Sequence, residues 1–157
     1  MSSLWRVSSV AAAALVFVVL ARAAPAERQS LDLKPGQEVT FAVGADGRVA
    51  PGSARIEKPG AAAPKDGEIT VAVVRHGLAP YADLTTTEKT LSPIDFVATG
   101  LIGDIKIDEI VVCGRLDAPA VGRIASGVWR VSLNRFAVHP SGEANPPAGE
   151  GGLGCPR

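Results

Sequence analysis

Few side chains in this 157-residue sequence have the type and spacing that chemistry needs. His76 and His139 are its only histidines, and Cys113 and Cys155 its only cysteines. An even cysteine pair in an exported chain is most simply a disulfide. Closing the 42-residue separation of Cys113 and Cys155 would stabilise the fold by roughly 4 kcal/mol on loop entropy. A redox-active pair would more commonly be Cys-X-X-Cys, and this spacing is unlike it. Each histidine stands where a strand-like run ends, His76 after Arg75 and His139 before Pro140. Strand-end histidines are mostly exposed and idle. Zinc needs about four donors, three of them from the protein in an enzyme. Two histidines and a stray carboxylate do not meet that need, so no metal site is expected.

The carboxylates give a similar answer. Asp104, Asp108 and Glu109 lie close in sequence, and oxygen clusters can bind calcium. The Asp-X-Asp-X-Asp-Gly pattern with a later Glu is missing, however, and on a strand Asp104, Lys106 and Asp108 would form a solvated, salt-bridged stripe. Asp83, Asp95 and Asp117 stand alone in sequence, which leaves no acid pair for glycoside chemistry. No Gly-X-Ser-X-Gly elbow, Ser-X-X-Lys or phosphate-cradling glycine pattern occurs. No cofactor is implied. Trp129 lies in the most hydrophobic strand-like run and reads as a core anchor, with an exposed carbohydrate-stacking platform as the alternative. Tyr81, closing the loop Gly77-Leu78-Ala79-Pro80-Tyr81, reads as an exposed contact, because binding residues collect on loops.

Residues 1–26 set where these groups work. A short basic start, MSSLWR, precedes an apolar run from Val7 to Leu20, broken only by Ser8 and Ser9, and then the small-residue stretch ARAAPA, the sequence form of a cleaved secretory signal. Cleavage is expected after Ala26, with Ala23 the second choice. The run is shorter than the roughly 20 residues that span a bilayer, and no cysteine stands directly after it to accept a lipid. The working chain would have 131 residues, with 14 basic against 16 acidic side chains once Arg6 and Arg22 are gone. That balance offers no polybasic footprint, so neither nucleic acid nor an anionic membrane surface is an expected partner. The periplasm or the extracellular space is the expected location. Few asparagines and much Ala, Gly, Arg and Pro suggest a GC-rich bacterial genome.

After Ala26 there are 13 Val and 8 Ile against 9 Leu and no Met, a bias that favours pleated strands. Alternation places Val39, Phe41 and Val43 opposite Glu38, Thr40 and Ala42, and Ile69, Val71 and Val73 opposite Glu68, Thr70 and Ala72. Ile94, Phe96 and Ala98 form another such face, as do Trp129, Val131 and Leu133. In each case one face should be core and the other wet. The phase breaks at Asp108-Glu109 and Asn134-Arg135 predict bulges, with Ile105, Ile107, Ile110 and Val112 all inward, and Phe136 and Val138 inward after Leu133. Thr85, Thr86 and Thr87 followed by Glu88 and Lys89 read as a polar strand or a charge-guarded edge.

Turn dipeptides such as Asp46-Gly47 and Asp66-Gly67 punctuate seven or eight strands: 37–43, 48–58 in pieces, 68–76, 84–91, 94–101, 105–113, 121–125 and 127–138. Segment 59–67 reads as a linker-like loop, and 140–157, half Gly and Pro, as an extended tail that the disulfide would staple back. The expected architecture is all-β: a single antiparallel β-sandwich, immunoglobulin-like or related, over 27–139. A binding role then ranks above an enzymatic one, with a protein or cell-envelope component as partner and Arg75, His76, Pro80, Tyr81 and Asp83 as contacts. The alternatives are a small exported hydrolase using His76 or His139 with a carboxylate, and a protease inhibitor.

Overall fold

A computed structural model describes residues 29–140. The expected signal peptide, and the tail beyond Pro140, lie outside the described residues. Among those described there are nine strands and no helix: β1 (Leu31–Leu33), β2 (Glu38–Ala42), β3 (Arg55–Glu57), β4 (Glu68–Arg75), β5 (Tyr81–Glu88), β6 (Ile94–Ile102), β7 (Ile105–Val112), β8 (Ala120–Ala125) and β9 (Arg130–Val138). The strand missed by sequence is β1, three residues long and formed by pairing with β9. Segment 48–58 supplies only β3 and an isolated bridge between Val43 and Val49. The next strand, β5, begins and ends three residues before its expected bounds, because Tyr81 already pairs with Ala125.

The strands form two antiparallel sheets, β1-β9-β6-β7 and β3-β2-β4-β5-β8, an arrangement consistent with a β-sandwich. Both contribute to one core, including Phe41, Ile69, Val71 and Leu84 from the five-stranded sheet and Ile94, Phe96, Val131 and Leu133 from the four-stranded one. Between them Phe136 packs edge-on to Phe41, ring centroids 5.3 Å apart, and tilted against Phe96 at 5.6 Å. That placement needs the bulge expected at Asn134-Arg135. The β6–β9 register slips there, and Arg135 takes a left-handed φ of 55°, which returns Phe136 to the core side.

The second bulge lies at Ile107, beside the expected site: Gly100 pairs with Asp108 and Leu101 with Lys106. Its consequence differs from expectation. Ile110 and Val112 are buried, but Ile105 and Ile107 are exposed, since this end of β7 runs past the core. Likewise Val138 is partly exposed.

Trp129 is not a core anchor; it is 66% exposed, while its neighbour Val128 is fully buried. Gly100 explains the exchange. A β-carbon at Gly100 would stand 2.6 Å from Val128 Cγ1, so Val128 fills the space over the glycine and Trp129 is turned out of the strand. The peptide N–H of Trp129 still donates to Leu101 O at 2.8 Å.

Three polar expectations also change. Glu38, Thr40, Glu68 and Thr70, read as wet, are buried. Thr40 and Thr70 hydroxyls meet at 2.8 Å, Glu38 accepts the Gly60 N–H, and Glu68 accepts from Arg55 and from the Lys65 N–H. Those last two bonds, the Lys65 N–H first, hold the Glu68 carboxyl below the usual carboxylate range. The 59–67 segment is therefore pinned by buried carboxylates rather than linker-like. Finally, β5 is an interior strand between β4 and β8, and Thr86 and Glu88 lie on its buried side with Ala82 and Leu84.

Candidate functional site

Three of the five residues singled out as contacts, His76, Tyr81 and Asp83, come together at one end of the five-stranded sheet, joined by Arg123. Asp83 in β5 lies directly opposite Arg123 in β8, on the sheet's outer side. Arg123 Nε stands 3.5 Å from Asp83 Oδ1, an ion pair without hydrogen-bond geometry. The same guanidinium lies over the Tyr81 ring, 4.5 Å from its centroid, the geometry of a cation–π contact. His76 Nε2 reaches Asp83 Oδ2 at 2.9 Å. Asp83 thus holds His76 and Arg123 together, and Arg123 fixes the ring of Tyr81. Tyr81 is a strand residue, not a loop tip, and is half-buried.

Arg75 and Pro80 do something different: they tie neighbouring connections together. The Arg75 guanidinium donates to Val128 O at 2.7 Å, and Pro80 O accepts from the Ser126 N–H at 3.1 Å. With the Trp129–Leu101 bond, these contacts bring three connections to one end: β4–β5, β6–β7 and β8–β9. Leu78, Ile105 and Trp129 are exposed there, Leu78 completely. Nearby, Arg130 forms ion pairs with Asp32 at 3.5 Å and Asp104 at 3.3 Å.

Arg123 was missed by sequence because it faces Asp83 only through the β5–β8 pairing, 40 residues apart along the chain. Its local signal was the alternation of exposed Val121 and Arg123 with buried Ala120, Gly122 and Ile124.

The second histidine lies at the opposite end and is buried, not idle. His139 Nδ1 lies 2.9 and 3.0 Å from the two oxygens of Asp95, one of which also accepts the Gly114 N–H at 2.8 Å. A β-carbon on Gly114 would fall 2.2 Å from Ile94 N, so only glycine lets this chain pass so close to β6. Glu88 enters the same region from β5 and accepts the Ile94 N–H at 3.0 Å. Its other oxygen, and His139 Nε2, are buried without a hydrogen-bond partner among the described residues. Burial pushes the Glu88 carboxyl up to about 7, and the Asp95 charge adds to the rise.

The remaining acids are dispersed. Asp104 turns to Arg130, Glu109 to Lys106, and Asp108 accepts the Ala125 N–H of β8 at 2.9 Å. No group of side chains suited to a metal ion occurs among the described residues. Asp117 pairs with Arg115 at 2.8 Å, and that hydrogen bond lowers its pKa. Cys113 is buried at the His139 end, directly before Gly114. Cys155 lies outside the described residues. No helix among the described residues is long and apolar enough to cross a membrane. No protein-family model, curated protein or solved structure matches this chain.

Proposed function

We propose that this chain is an exported, non-enzymatic β-sandwich, immunoglobulin-like or related, that binds a protein or cell-envelope component through the end bearing Arg75, His76, Pro80, Tyr81 and Asp83. The strand path supports the architectural part: the chain passes between the two sheets four times, as Greek-key sandwiches do. One observation carries the binding part. Tyr81, Arg123, Asp83 and His76 form a connected surface group beside exposed Leu78 and Trp129. Aromatic and arginine side chains are the types that dominate binding energy at interfaces. Export to the periplasm or beyond, and the Cys113–Cys155 staple, belong to the same proposal. They rest on the signal-like first 26 residues and the even cysteine pair.

The test is retention of purified protein by immobilised envelope fractions of the source cells. Tyr81→Ala and Arg123→Ala should each cut retention about tenfold or more, a typical loss for a central interface side chain. Retention unchanged in both variants would overturn the reading.

A hydrolase remains the second reading because of the Asp95–His139 pair. A carboxylate on Nδ1 that leaves Nε2 without a partner is how the second and third members of a nucleophile–histidine–aspartate set are arranged. Hydrolysis of a panel of ester and amide substrates that disappears in His139→Ala, with the fold intact, would favour it.

A further inference from the structure

We infer that the component bound at this end is a zwitterionic lipid surface, into which Leu78, Ile105 and Trp129 insert. The inference rests on the binding role proposed for the end and names its partner.

Leu78 and Trp129 are carried by the β4–β5 and β8–β9 connections and Ile105 by the first position of β7, and hydrogen bonds hold these three chain segments at one end of the molecule. Leu78 is fully exposed, Ile105 68% and Trp129 66%. Side chains so free of their own protein are poor anchors for a shaped protein pocket, because binding there must first fix their rotamers. Fluid hydrocarbon asks for no fixed geometry and accepts aliphatic tips directly. Tryptophan is the residue type that settles at the boundary between headgroups and acyl chains.

The charges at this end select the kind of lipid. Arg123 is matched by Asp83 and Arg130 by Asp104, while Arg75 is occupied by a main-chain carbonyl. A rim of paired ions suits a headgroup layer that itself carries paired phosphate and ammonium charges. It has little excess charge with which to adsorb to an anionic layer, and the chain after Ala26 is slightly acidic. Guanidiniums held at the rim supply donors for headgroup phosphates.

Trp129 is the only tryptophan after Ala26, so it reports directly on insertion. The chain Glu27–Arg157 would be mixed with phosphatidylcholine vesicles and followed by co-sedimentation and tryptophan fluorescence. The core and the apolar side chains packed against it lie between Leu31 and Phe136, and circular dichroism would check each variant. The expected result is sedimentation with the vesicles, a blue shift, and quenching by lipids brominated on the acyl chain. Leu78→Ser should weaken partitioning about tenfold, the effect of losing one buried leucine. Leu91→Ser, equally apolar and exposed but on the β5–β6 connection at the other end, should leave it unchanged.

Absence of sedimentation and blue shift overturns the inference, as does equal loss in Leu78→Ser and Leu91→Ser. Binding confined to phosphatidylglycerol vesicles and abolished by salt also overturns it, since that is adsorption by charge. If vesicles fail while envelope retention still depends on Tyr81, only the lipid assignment falls. If both fail, the binding reading falls with it.

Discussion

At the scale of single residues, the neighbours Val128 and Trp129 show how packing overrides composition. The larger and more hydrophobic side chain lies outside, and the smaller one fills the space over Gly100. Opposite effects on stability follow. Val128→Ala should cost about 1–3 kcal/mol by opening a cavity, whereas Trp129→Ala should change stability by less than about 0.5 kcal/mol. Urea unfolding curves of the two variants would check the contrast. The alternation of Val131 and Leu133 was legible in sequence, and Trp129 fits the same parity. Nothing local showed that the strand begins only at Arg130. The vacancy that decides the matter is created by a glycine 28 positions earlier, on a neighbouring strand.

At the scale of elements, the strand ends are held by carboxylates that face inward. Glu88 closes β5, Asp95 is the second residue of β6 and His139 follows β9, so three chain segments meet around acids and one imidazole. The Glu88 carboxyl keeps its proton to about pH 7 in the fold and loses it near 4.5 otherwise. The folded state therefore binds more protons between those values. Its stability should be greatest below about pH 4.5 as far as this group is concerned, fall as pH rises towards 7, and level off above. The full effect is on the order of 3 kcal/mol. In Glu88→Gln this part of the slope should vanish and the protein should gain stability at pH 8. Thermal melts across pH would show it, and an unchanged slope would contradict the assignment.

Most strands were readable because apolar alternation survives in β2, β4, β6, β8 and β9. The burial of Glu38, Glu68 and Glu88 was not readable, since a glutamate among β-branched residues looks solvated until the loop it caps is folded over it. The site divides in the same way. Tyr81 and Asp83 could be named from one stretch of chain, but their link to Arg123 exists only through sheet pairing.

For the whole molecule, the two ends have different chemistry: Leu78, Ile105 and Trp129 exposed together with paired ions at one, a buried acid–imidazole group beside Cys113 at the other. The proposed Cys113–Cys155 link belongs to the second end. Cys155→Ser should lower the denaturation midpoint by an amount equivalent to at most about 4 kcal/mol, with no effect on binding at the first. Intact-mass measurement after alkylation without reductant should find no free thiol in the parent protein.

The clip between Asp108 and the Ala125 N–H reaches further than local stability. It joins the outermost strands of both sheets, β7 and β8, along one flank, and the neighbouring bulge at Ile107 breaks the even row of donors and acceptors there. Exposed strand edges template the growth of filaments. With Asp108 occupying the Ala125 donor and β7 kinked, a second chain finds no straight row to extend, so the flank is protected from fibre formation even at high protein concentration.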